Sequence, residues 1–285
     1  MGRQDPARGD RGGADRDAGR SLMRLWLIGC GNMAGAMLAR WIDSGTVRAG
    51  DVHVVNRKDR ALPAGVHQAR ELPAEGAPDV VVLGVKPQQL ADAAARYAAR
   101  LREAPILLSI LAGVDEAVLS RAFPGPTPVP VMPNLPVALG QGVCVVNAPS
   151  ASAATRATVD ALLAPLGEVM WARGAEYAAA STLSGCGPAY LFRFIDALAK
   201  AATALGLGEA DAARLALATV RGAASLAEAD GRSPAVLADA VASPGGMTRA
   251  GLNVLDEDGA LDRLVRATLA AAAARGEEMA AAARG

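Results

Sequence analysis

Two hydrophobic patterns divide the chain. In the first half, apolar runs of strand length alternate with stretches of helical spacing. Leu25-Trp26-Leu27-Ile28 is such a run, closed by Gly29-Cys30-Gly31, and behind it Met33, Ala36, Met37 and Trp41 recur at helical intervals. Residues 51–55 alternate and are rich in β-branched side chains. Residues 79–85 form a nearly continuous apolar run, as expected of a strand covered on both faces. Residues 91–101 read as a helix, and 106–111, 127–132 and 142–147 as further strands. The alternation predicts a doubly wound, mostly parallel α/β sheet.

Beyond about residue 150 the strand-like runs give way to Ala- and Leu-rich helical stretches at 152–165, 188–205, 209–229, 233–242 and 259–283. The expected organisation is a disordered tail over 1–22, a nucleotide-binding domain over 23–150 and an all-α domain over 151–285. So many small apolar residues on long helices favour a helix-mediated dimer over an isolated bundle. The tail is polar and lacks the apolar core of a secretory signal; Met23 is an alternative start.

Composition narrows the function classes. The formal net charge is zero, so no strong field recruits nucleic acid or an anionic membrane. No apolar stretch is long enough to span a bilayer. Three widely spaced cysteines without a CxxC pair argue against a disulfide framework or a zinc site and point to a reducing, cytoplasmic setting. No metal is expected. The two histidines, His53 and His67, both fall in the nucleotide-binding half.

The turn after the first strand reads G-x-G-x-x-A, with Gly29, Gly31 and Ala34 in the three places. The first glycine permits the sharp turn, the second admits a pyrophosphate, and the small third residue lets helix and strand pack closely. An acidic residue usually sits about 20 positions further on in NAD enzymes. Here Asn56-Arg57 occupies that place, with Lys58 and Arg60 nearby, which favours NADPH, NADH remaining an alternative. These cations are also what an ordinary solvated surface would carry. Lys86, in Gly84-Val85-Lys86-Pro87 at the carboxyl end of its strand, either contacts cofactor or marks an exposed strand end.

In order and spacing, IGCGNMAGAM, VKPQ, SILAGV at 109–114, VMPNLP at 131–136, LSGCGPAY at 183–190 and VASPGGMTRAGL at 241–252 resemble the Δ1-pyrroline-5-carboxylate reductases, from about Leu25 to about Met279. The resemblance implies a Rossmann domain plus a helical dimerisation domain, often assembled as a decamer built from five dimers. It implies NAD(P)H-dependent reduction of a small cyclic imine to proline. It places Ile28, Gly29, Gly31, Asn32, Met33, Asn56, Arg57, Val85, Lys86, Pro87, Gln88, Ala112 and Gly113 around the cofactor. It places Ser243, Gly245, Gly246, Met247 and Asn134 around the substrate, with Thr248 at the ring nitrogen. A Ser-Pro-Gly-Gly turn ahead of a helix is independently a plausible anion nest, although N-capping would account for Ser243 and Thr248 equally well.

The sequence departs from the family pattern at Pro130 (usually Arg), Leu135 (usually Thr), Cys186 (usually Ser) and Met247. Pro130 removes a charge and a backbone donor together. Two further readings stand beside the first. A 3-hydroxyacid or 6-phosphogluconate-type dehydrogenase would need a Lys four residues beyond Gly187, where this chain has Leu191; Lys200 lies further along. A non-catalytic NADPH-binding paralogue would fit the changes at Pro130 and Leu135, but not the retention of Thr248 and the Ser243–Gly246 turn. A related cyclic imine, such as the six-membered homologue, also remains open as substrate.

Overall fold

The computed structural model describes residues 23–284, so the tail expected over 1–22 lies outside them. Among the described residues eight strands form one sheet: β1 (Leu25–Ile28), β2 (Val52–Val55), β3 (His67–Ala69), β4 (Val80–Leu83), β5 (Ile106–Ser109), β6 (Thr127–Pro133), β7 (Gly142–Val146) and β8 (Gly167–Trp171). Their order is β3-β2-β1-β4-β5-β6-β7-β8. Pairing is parallel from β3 through β6, antiparallel between β6 and β7, and parallel again between β7 and β8. The β3-β2-β1-β4-β5-β6 portion is the strand order of a dinucleotide fold, whose direction of winding reverses between β1 and β4.

Helices cover both faces, which explains why the central strands are apolar throughout. Leu25 and Leu27 of β1 point into one layer with α1 (Asn32–Asp43) and α4 (Ala153–Leu163). Trp26 and Ile28 point into the other, against α2 (Leu90–Tyr97) and α3 (Glu116–Ala122). Trp41 of α1 is fully buried, and its indole N–H donates to the Leu162 carbonyl of α4 at 2.7 Å. Removing a side chain of that size from a core costs about 3–5 kcal/mol.

This packing moves the transition between the halves. The sequence pattern placed everything after residue 150 with the helices, yet α4 completes the sheet's core and β8 pairs with β7. The sheet half therefore runs to Trp171. The helical half begins with α5 (Gly174–Ala204) and continues through α6 (Glu209–Asp230), α7 (Pro234–Ala240), α8 (Met247–Asp256) and α9 (Ala260–Arg284). Strands β3 and β8 escaped the sequence reading because both are edge strands carrying polar residues, where the apolar signal is weakest.

In the helical half, α5 packs on α6 and α9 but buries no residue fully within the chain. Phe192, Phe194, Leu198, Leu215, Leu226 and Leu264 are exposed. That is far more apolar surface than a monomer leaves in water, and it suits a face covered by a second copy. No helix among the described residues is long and apolar enough to cross a membrane.

Candidate active site

The glycine turn joins β1 to α1, and its two glycines are required for different reasons. Gly29 has φ +82°, and a Cβ there would lie 2.8 Å from Val85 Cγ1 and 2.9 Å from the Val85 nitrogen. Conformation and crowding both exclude a side chain. Gly31 is the N-cap of α1 at φ −76°, which any residue adopts, and a Cβ there would meet nothing within 4 Å. The chain itself leaves that space open. No side chain caps α1 and no acidic residue sits in its first turn, so its leading N–H groups, Asn32 and Met33 among them, face the same opening. Ala34 is buried, with its Cβ 3.0 Å from where a Gly84 side chain would begin, so the third small residue lets α1 lie close on β4. An open cradle over uncapped amides is what a dinucleotide pyrophosphate needs.

A cleft of about 600 Å³ opens beside this turn, lined by Cys30, Gly31, Asn32, Asp59, Arg60 and Pro63 among others. Asn56 closes the end of β2 and is buried; its Oδ1 accepts from the Cys30 N–H at 2.8 Å and its Nδ2 donates to Gln68 Oε1 at 3.0 Å. It braces the glycine turn from behind. Arg57 is exposed and does not line the cleft. Arg60 does, and it donates to the Cys30 carbonyl at 2.8 Å and to Asn32 Oδ1 at 3.3 Å. Of the cations after β2, Arg60, itself exposed, is the one among the residues lining the cleft; Arg57, which the sequence reading puts first with Arg60 nearby, stands further out. Nothing in one-dimensional spacing distinguishes them, because the loop folds back on itself: the Arg60 N–H donates to Gln68 Oε1 and its carbonyl accepts from Gln68 Nε2, both at 3.2 Å. Burial raises the Cys30 thiol pKa, partly offset by Arg60, so the thiol stays neutral.

Ile28, Val85, Lys86, Pro87 and Gln88 gather at the carboxyl ends of β1 and β4. Gly84 N–H donates to Ile28 O at 2.9 Å, and the Lys86 N–H donates to Gln89 Oε1 at 3.2 Å as the chain turns toward α2. The Ile110 N–H bonds to Leu83 O at 3.1 Å, bringing the Ala112-Gly113 turn to the same edge, with Gly113 at φ +75°. Asn134 also lies on this edge, just after β6. Its amide is occupied at both ends, however: Oδ1 accepts from the Val143 N–H at 2.8 Å and Nδ2 donates to Ser184 O at 3.0 Å. Within the chain the Asn134 amide thus braces β7 and α5, whereas the resemblance places it around the substrate.

The second turn belongs to the helical half. Gly245 has φ +68°, and Gly246 is the N-cap of α8; a Cβ on Gly246 would strike Ser243 Oγ at 2.6 Å. No side chain caps α8, so neither Ser243 nor Thr248 does the capping that would have explained it blandly. Ser243 and Thr248 are exposed and Met247 is 94% exposed. Within one chain α8 packs against α9.

The family model for pyrroline-5-carboxylate reductase dimerisation matches residues 175–279, and one for NADP oxidoreductase, coenzyme F420-dependent, matches 24–113. A pyrroline-5-carboxylate reductase of Pseudomonas aeruginosa is 35% identical over 91% of this chain and 98% of its own. One from Arabidopsis thaliana is 33% identical over 87% and 93%. The chain belongs to the pyrroline-5-carboxylate reductase family. The Coxiella burnetii reductase superposes at TM-score 0.83, with 30% identity, covering 91% of this chain and 99% of that one. The Plasmodium falciparum enzyme, solved with NADP bound, superposes at 0.79 over 92% and 100%; at 22% identity it speaks to the fold alone.

Among the departures from the family pattern, Pro130 is absorbed by the sheet. Its carbonyl accepts from Asn147 N–H at 3.0 Å, on the β7 side. In an extended strand a residue's N–H and C=O point the same way, so the missing donor faces past the end of the β6–β7 ladder and costs the β5 pairing nothing. Leu135 is 61% exposed and fills no core position.

Proposed function

We propose that this member of the family reduces 1-pyrroline-5-carboxylate to L-proline with NADPH. The observation that carries the reading is the pair of uncapped glycine turns, one opening α1 and the other opening α8, each presenting free N–H groups to an anion. The first suits a pyrophosphate and the second a substrate carboxylate. Arg60 supplies a guanidinium for a 2′-phosphate, with Arg57 further out. Thr248 receives the ring nitrogen: its hydroxyl accepts a hydrogen bond from the protonated imine, whose positive charge makes the adjacent carbon electrophilic. When bound, the nicotinamide supplies a hydride. The rest is orientation, which suits a site built from turns and one hydroxyl without histidine.

The exposed faces of α5 and α6 support a homodimer through the helical half. Assembly of dimers into a decamer extends that reading and is checked by light scattering. Since α8 packs on α9 within its own chain, we place the glycine turn and the Thr248 turn of each site on different subunits. The free thiols of Cys30, Cys144 and Cys186 suit a reducing compartment, the cytoplasm in this reading. The deciding experiment is NADPH oxidation in the presence of pyrroline-5-carboxylate. Substrate-dependent oxidation supports the proposal; activity on hydroxyacids alone, or cofactor binding without turnover, overturns it.

A further inference from the structure

Helix α5 carries Pro188 in its interior. Proline has no N–H, so the carbonyl four residues earlier, that of Ser184, is deprived of its helical donor. The replacement comes from the other half of the molecule: Asn134 Nδ2 donates to Ser184 O at 3.0 Å. Asn134 is itself held, since it is 6% exposed and its Oδ1 accepts from Val143 N–H at 2.8 Å. It follows the last residue of β6, a strand parallel to β1, β4 and β5, so it stands on the carboxyl edge where the glycine turn and Val85 also lie. On α5, Gly185 and Gly187 flank the same point, and a Cβ at either meets nothing within 4 Å. Glycines weaken a helix interior, so the helix here is thin and bare where it meets the cofactor edge.

We propose that Asn134 is a positioning residue. Acting through the Ser184 carbonyl, it pins the middle of α5 to the carboxyl edge of the sheet. The sheet half is thereby held at a set distance from the helix whose exposed apolar face meets the partner, and the partner's substrate turn is placed over the cofactor edge through that interface. A hydrogen bond from a rigid strand end to a carbonyl that has lost its i+4 helical donor has one favoured geometry. The same helix with an alanine at 188 would serve its own carbonyl and be free to settle elsewhere. The inference rests on the functional reading above, in which hydride crosses between the two halves.

The test uses the full-length enzyme and four forms: wild type, Asn134→Ala, Pro188→Ala and the double variant. Melting temperature, NADPH affinity, kcat and KM are measured, with the deuterium isotope effect from NADPH labelled at the transferring position. In Asn134→Ala we expect kcat to fall about tenfold, NADPH Kd to stay within about twofold, and the isotope effect to rise as hydride transfer becomes limiting. Pro188→Ala returns a donor to Ser184, so Asn134→Ala should lower the melting temperature less in that background than in wild type. A folded Asn134→Ala enzyme with wild-type kcat and isotope effect overturns the proposal, as do strictly additive melting losses. If Asn134→Ala does not fold, the double variant carries the test, and wild-type turnover in it overturns the proposal. Failure of the wild type to turn over pyrroline-5-carboxylate would sink the functional reading instead, and is seen before any variant is made.

Discussion

The guanidinium of Arg60 donates to the Cys30 carbonyl at 2.8 Å, which fixes a cation against the middle residue of the glycine turn. Its second contact, Asn32 Oδ1, is at 3.3 Å, so the fork is anchored on one side with donors remaining toward the cleft. Arg60→Met should raise the NADPH Kd by about ten- to a hundredfold, the scale of one charge-assisted pairing, while NADH binding shifts by less than about threefold. Fluorescence titration with both cofactors measures this. Equal losses for the two would assign Arg60 to bracing the turn alone.

The two glycines of the turn make opposite forecasts. Gly31→Ala meets no protein atom, so the melting temperature should hold or rise slightly as the unfolded chain loses freedom. NADPH affinity should nevertheless drop by about tenfold or more, because the methyl occupies the ligand's space. Gly29→Ala, at φ +82° and against Val85, should destabilise the fold by more than about 1 kcal/mol before any cofactor is added. Thermal denaturation with and without NADPH separates the cases.

Thr248→Val preserves shape and removes a hydroxyl that is exposed and caps nothing. We expect unchanged stability and a fall in kcat/KM of about tenfold or more, one hydrogen bond in the transition state. Unaltered kinetics would remove Thr248 from the reaction.

Hybrid enzymes test which chains meet at a site. If the glycine turn and Thr248 turn of one site come from different subunits, a hybrid of a Gly31 variant with a Thr248→Val variant has one doubly damaged site and one intact site. Mixing two weak enzymes should then restore activity. Sites built from single chains would give no recovery, whatever the mixing ratio.

Cys144 is fully buried in the core, and desolvation pushes its thiol from 9.0 up to about 12. The unfolded chain releases that proton near pH 9 and the folded chain does not. Its contribution to stability is thus whole below pH 9 and is lost progressively as the pH rises toward 12. Cys144→Ala should show a shallower decline in stability than wild type across that window in urea titrations at several pH values. Parallel declines would contradict the burial.

Much of the architecture is written locally. Leu25–Ile28 and Val80–Leu83 sit between two helical layers and must be apolar at every position, so their strand character needs no context. The glycine turn is legible for the same reason, since φ +82° at Gly29 admits few residues. What escaped depends on partners distant in sequence. Strand β8 exists because β7 offers it an edge, and α4 belongs to the sheet because Trp41 reaches Leu162, 121 residues away. Arg60 comes to the cleft beside Cys30 in a loop that Gln68 folds back. Asn134 is assigned to the substrate by its place in the VMPNLP motif; the helix carbonyl it serves lies 50 residues on, beyond the reach of any local pattern.

Pro188 also bears on how this molecule can be taken apart. The dimerisation family begins matching at residue 175, which falls between Asn134 and the carbonyl it serves. Severed there, the helical piece would carry, in the interior of its longest helix, a carbonyl stripped of both its i+4 donor and the amide that replaces it. Recognisable as a segment, it is not a self-contained module. A chimera that grafts these helices onto another nucleotide-binding domain must import an amide at the end of the sixth strand, or else trade the proline away.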